Sequence, residues 1–152
     1  MKKLLVVLVV SLFCCMSCGS DDEEPSPGGP SGSPPVISDL QCPRTTLDSG
    51  EGGGAATVED CLVGFFDEDE DLETILQKGL YSDQDCGVDP LPDFPIDVRP
   101  QTVGQQQGTI LFDARIQTNC VAGTYTYEFV AVDSEDSESN ELVLQFVLVD
   151  GS

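Results

Sequence analysis

Apolar and polar residues alternate along much of the chain beyond residue 35. Residues 109–117 set Ile110, Phe112, Ala114 and Ile116 against Thr109, Asp113, Arg115 and Gln117. Residues 125–131 place Tyr125, Tyr127, Phe129 and Ala131 on one face. A period of two is the mark of a strand buried on one side. Residues 142–149 are apolar on both faces apart from Gln145, residues 57–66 align Cys61, Val63 and Phe65, and residues 36–42 align Val36, Leu40 and Cys42. Turns rich in Gly, Pro, Asp and Ser separate these runs. The spacing predicts an all-β chain folded as an antiparallel sandwich of about seven strands.

Residues 71–80 do not alternate cleanly. Leu72, Ile75, Leu76, Gly79 and Leu80 have helical spacing, with acids before them and Lys78 near the end, so the segment taken alone reads as a short helix. The sandwich needs a strand here, and tertiary context overrides local propensity, so strand is the expectation adopted.

The N-terminus follows another logic. Met1, Lys2 and Lys3 precede an apolar run over residues 4–10 that continues through Leu12 and Phe13 to Cys14, Cys15 and Cys18. A charged start, an apolar stretch and small residues make a secretory signal peptide. The run is shorter than the roughly 20 residues a membrane-spanning helix needs. Residues 19–35 are Gly, Ser, Pro and acid with no large apolar side chain, which predicts a disordered linker. The expected organisation is a leader over 1–17, a tether over 18–35 and one domain over 36–152.

Cys15-Met16-Ser17-Cys18-Gly19 resembles the lipobox of bacterial lipoproteins, with Ser17 as the small residue before the modified cysteine and Cys15 where an aliphatic residue is usual. The resemblance implies that Cys18 becomes the lipidated mature N-terminus. The acidic run 19–24 that follows is similar to tethers that direct some lipoproteins to the outer face of the outer membrane; its alternative role is a solubilising spacer. The implied location is a lipid anchor in a bacterial outer membrane. Several acyl chains hold firmly, since each buried CH₂ contributes about 0.8 kcal/mol.

Charge narrows the partners. The chain has 28 Asp and Glu against 6 Lys and Arg, and no His. Without the leader, Arg44, Lys78, Arg99 and Arg115 are the 4 bases facing those 28 acids, a net charge of −24. Such a surface repels nucleic acid and favours a soluble monomer. The absence of His removes the commonest general base and the Ser/His and Cys/His nucleophile pairs.

Residues 122–133, with Gly123, Tyr125, Tyr127 and Asp133, and Asn140 before the last strand, resemble the end of bacterial immunoglobulin-like domains of the PKD, cadherin-like and fibronectin type III sort. Residues 66–72 are similar to the Asp-rich loop of those families, without the Gly they often carry near Glu70. The resemblance implies an immunoglobulin-like sandwich over residues 36–149. It identifies a fold rather than an activity.

Cys42, Cys61, Cys86 and Cys120 remain once the leader cysteines and Cys18 are set aside, an even number in an exported chain. They predict two disulfides, for which three pairings exist. Neighbouring first strands would bring Cys42 to Cys61, and loops at one end of a sandwich would bring Cys86 to Cys120.

Asp67, Asp69 and Asp71 alternate on a loop, and a sandwich would set Asp133 and the acids of residues 135–141 beside them. Converging carboxylates suit Ca²⁺, which takes six to eight oxygens; the alternative is a solvated acidic rim. Asp48-Ser49-Gly50 echoes half of an aspartic-protease site, but no second copy exists. The chain therefore reads as a non-catalytic binding or adhesion module of the cell envelope, anchored in the membrane by lipid, engaging an unidentified protein or glycan, with Ca²⁺ as the one candidate cofactor. The alternatives are an accessory or envelope-assembly lipoprotein and, third, a carboxylate-based hydrolase, for which 3 Tyr, 7 Phe and no Trp offer few aromatic platforms.

Overall fold

The computed structural model describes residues 32–80 and 93–151. Among them are strands β1 (Val36–Gln41), β2 (Thr46–Asp48), β3 (Ala55–Phe66), β4 (Leu72–Leu80), β5 (Phe94–Asp97), β6 (Gln107–Gln117), β7 (Gly123–Asp133) and β8 (Leu142–Val149). A single helical turn, α1 (Arg99–Thr102), joins β5 to β6. The strands form a small sheet, β1-β3-β6, facing a larger one, β2-β8-β7-β4-β5. This is the all-β sandwich of two sheets that the alternation predicts.

Two features depart from seven antiparallel strands. Eight strands are present among the described residues, and β2 runs parallel to β8, with Thr46 opposite Val147 and Asp48 opposite Val149. The cause is local. β1 pairs antiparallel with β3, then Pro43, which has no N–H to give a ladder, interrupts the chain, and the same direction of travel delivers β2 to the other sheet. β5 also escapes the sequence pattern, being four residues long and carrying Pro95.

Residues 71–80 form a strand, and the helical spacing has a physical explanation. The register between β4 and β7 shifts between Leu72 and Thr74, so Leu72, Ile75 and Gln77 all point inward. One extra residue in a strand turns a spacing of two into three. The same device corrects the expected alignment of Val36, Leu40 and Cys42. A bulge between Ser38 and Gln41, with Asp39 at φ 54°, leaves Ile37 buried and Val36 exposed. In β3 a bulge with Asp60 at φ 61° lets Val58 and Cys61 both face the core.

The core fills the space between the sheets. Ile110, Phe112, Ala114 and Ile116 of β6 and Tyr125, Tyr127, Phe129 and Ala131 of β7 are all buried. Phe112 meets Phe129 with ring centroids 5.8 Å apart, and Tyr127 meets Phe146 edge-on at 5.6 Å, geometries that add to plain area burial. The Tyr125 hydroxyl donates to Val121 O at 2.6 Å, tying the start of β7 to the loop before it. Cys42, just past the end of β1, and Cys61 of β3 form a disulfide with their Cα atoms 4.1 Å apart. Cys120 is buried and also disulfide-bonded; Cys86, its expected partner, lies outside the described residues.

The small sheet has two bare edges, and side-chain amides close both. Gln77, only 2 % exposed, reaches from β4 to the β6 edge, where its Nε2 donates to Arg115 O at 2.6 Å and its Oε1 accepts from Arg115 N at 3.0 Å. Gln101 of α1 does the same to Leu111, at 2.8 and 2.9 Å. Asn140, just before β8, holds both backbone groups of Ile37 in β1 at 2.9 Å. An amide carries one donor group and one acceptor in the order a neighbouring peptide would, so each clasp stands in for a ladder residue. Gln77→Leu, which keeps the volume but removes both bonds, is expected to lower unfolding free energy by about 1–3 kcal/mol in urea titration; an unchanged midpoint would mean the clasp contributes nothing.

Candidate functional site at the acidic end

The chain reverses direction between β3 and β4 on a single carboxylate. Asp67 is fully buried, its N–H donates to Gln106 O at 2.7 Å, and its Oδ2 accepts from Asp71 N at 2.7 Å and Leu72 N at 2.8 Å. Glu70 takes the left-handed conformation at φ 61°, and Gly104 N donates to its carbonyl at 3.1 Å. A non-glycine residue there is tolerated because Asp67 fixes both sides of the turn.

The loop between β7 and β8 repeats the device. Asp133, 3 % exposed, accepts from Glu135 N at 2.9 Å and Ser137 N at 2.7 Å through Oδ1, and its own N–H donates to Ser137 O at 3.2 Å. Asp136 sits at φ 63° at the tip. The two loops are joined at Ser134, whose N–H donates to Asp71 O at 3.2 Å and whose hydroxyl donates to Asp71 Oδ2. The sandwich thus brings both acidic loops to one end, as the sequence predicts.

The end of the expected tether arrives at the same place. Gly32 N donates to Glu135 Oε2 and Ser33 N to Asp69 Oδ2, each at 2.6 Å, and the Ser33 hydroxyl donates to Glu68 Oε2 at 3.2 Å. Asp69 and Glu135 therefore form an exposed rim that grips the incoming backbone. Lys78 fastens the flank, with Nζ 3.3 Å from Glu138 and 3.8 Å from Glu128.

The four aspartates named from the sequence share an end but not a coordination shell. Asp67 and Asp133 bind backbone amides, Asp71 binds Ser134 and Asp69 binds Ser33, and among the described residues no three His, Cys, Asp or Glu side chains converge so as to hold a metal ion. What the geometry does leave is three buried oxygens with no hydrogen-bond partner: Asp67 Oδ1, Asp71 Oδ1 and Ser137 Oγ. All three belong to these two loops. Two desolvated carboxylate oxygens and a hydroxyl are the donor chemistry that a hard cation takes. Ser134 and Ser137 carry no signal in the sequence beyond their place in a Ser- and acid-rich run.

At the opposite end, the Asp48-Ser49-Gly50 stretch lies in a turn, where the Ser49 hydroxyl donates to Cys120 O at 2.8 Å and Asp48 N donates to Glu51 Oε2 at 3.2 Å. The hydrogen bond from Arg44 holds the Glu51 carboxyl below the ordinary carboxylate range, as that from Arg99 does for Asp97. The stability of these exposed pairs is present above the unfolded carboxylate range and is lost as pH falls through the lowered values. Burial pushes the Tyr125 and Tyr127 hydroxyls up, so their contribution holds at neutral pH and is lost as pH rises beyond about 10.

Compared with known proteins, the sequence matches no protein-family model and no curated relative.

Asp67→Ala strips two buried amides of their acceptor and is expected to cost about 2–4 kcal/mol in urea unfolding, whereas Asp69→Ala on the exposed rim should cost less than about 0.5 kcal/mol. Equal effects would contradict the division into staple and rim.

Proposed function

We propose that this chain is an exported, lipid-anchored binding or adhesion module of the bacterial outer membrane, without catalytic function, and that Ca²⁺ bound at its acidic end assists it. The observation that carries the cation is the set of orphaned oxygens Asp67 Oδ1, Asp71 Oδ1 and Ser137 Oγ, all on the two acidic loops whose rim residues Glu68, Asp69 and Glu135 hold Gly32 and Ser33. Asp67 and Asp71 would each offer one carboxylate oxygen, with solvent supplying the ligands that the protein does not. Support for the anchor comes from the leader and from Ser17-Cys18, which resembles the lipobox. An unidentified protein or glycan is the partner, and the sandwich is the rigid body that presents the binding surface.

Two measurements on the full-length protein test this. Cys18→Ala is expected to release the protein from the membrane fraction and abolish the lipid mass; retention in the membrane would contradict the anchor. Millimolar Ca²⁺ should raise the thermal midpoint of the processed protein over Mg²⁺ at matched ionic strength, because a ligand of the native state stabilises it by linkage. Loss of that rise in Asp71→Asn is expected, and an equal response to both cations would refute the site.

A further inference from the structure

The two sheets do not match in width, and the mismatch leaves a cavity of about 190 Å³ beside the Gln77 clasp. It lies at the end of the sandwich away from the acidic loops, where Gly79 of β4 faces Tyr127 of β7 and Ala55 of β3 faces Gln117 of β6. Phe94 of β5 and Arg115 of β6 line it as well.

Its chemistry runs against that of the rest of the molecule. Of the four described cations, Arg44, Lys78 and Arg99 each have a carboxylate within ion-pair distance, and Arg115 has none among the described residues. Its guanidinium instead lies over the Phe94 ring, 5.4 Å from the centroid. In a chain where acids outnumber bases so heavily, a guanidinium held on an aromatic face beside a cavity, with no acidic partner among the described residues, is a preorganised anion site. The Tyr127 hydroxyl accepts from Gln117 N at 3.1 Å, and its own proton has no acceptor among the described residues. Burial keeps that proton in place across the neutral range. The Gln77 amide is held by Arg115's backbone and the Gln117 amide donates to Asn119 Oδ1, each through one of its two N–H groups, so the guanidinium and the phenol are the donors not already tied to the protein. Around them the walls are apolar: the Phe94 ring, Ala55 and the side-chain-free Gly79, a residue that inside a strand marks a close approach.

We infer that this cavity binds a small monocarboxylate with a flat apolar body, the carboxylate bridging Arg115 and Tyr127 and the body lying against Phe94. A volume worth about six water molecules accepts a ligand of benzoate size. The site involves neither lipid nor Ca²⁺, so its failure would leave the anchored module standing, and the reverse.

The test is titration of benzoate into the full-length protein, followed by NMR at constant ionic strength, with benzamide as the neutral isostere. Saturable shifts confined to Gly79, Phe94, Arg115 and Tyr127 are expected, with benzamide binding at least about tenfold more weakly, a difference of about 1.4 kcal/mol. Arg115→Gln, at an exposed position, should weaken benzoate by a similar factor while leaving the thermal midpoint in place. Absence of saturation by about 20 mM benzoate, equal binding of benzamide, or an unaffected Arg115→Gln variant would each overturn the inference.

Discussion

Three amide side chains, Gln77, Gln101 and Asn140, supply to the small sheet the backbone hydrogen bonds that further strands would otherwise provide. Three strands facing five cannot cover themselves, and bare edge groups invite pairing with other chains. Each clasp answers this with two bonds to a single residue, and each comes from the larger sheet or its connections. They therefore do more than hide an edge. They fix how far apart the sheets stand along β6 and β1, and the space that remains next to Gln77 is the cavity lined by Phe94, Arg115 and Tyr127. The Tyr127 hydroxyl adds a fifth bond to the β6 edge, at Gln117.

The excess of acid shapes the other end. A net charge far from zero opposes compaction, and four bases cannot neutralise it. The fold puts part of the excess to structural use. Asp67 and Asp133, buried, replace backbone partners in two tight loops, and Asp69 and Glu135 hold the arriving chain at Ser33 and Gly32. The oxygens left over on Asp67 and Asp71 are the part of this arrangement that a cation would complete.

Much of the sandwich is legible in the sequence because alternation survives wherever a strand is long and one-sided, as in β6 and β7. It is illegible where a single residue is inserted. Leu72 and Ile75 read as helical because the bulge between them is set by pairing with β7, a long-range partner; Val36 is misplaced for the same reason by Asp39. β2 and β5 are too short to alternate and exist only through β8 and β4. The acidic end was legible as a juxtaposition of loops, but the roles within it were not, since nothing in Asp67-x-Asp69-x-Asp71 distinguishes a buried loop staple from an exposed rim. The cavity was invisible, because Gln77, Arg115 and Tyr127 come from three strands and each looks ordinary on its own.

Native-state amide hydrogen exchange at β6 tests the central claim most directly. If Gln101 and Gln77 stand in for a missing strand, the Leu111 and Arg115 amides exchange as slowly as ladder amides shared between β3 and β6, although they lie on the open edge. Exchange of both at the rate of exposed loop amides would contradict it, and with it the account of how the small sheet is closed.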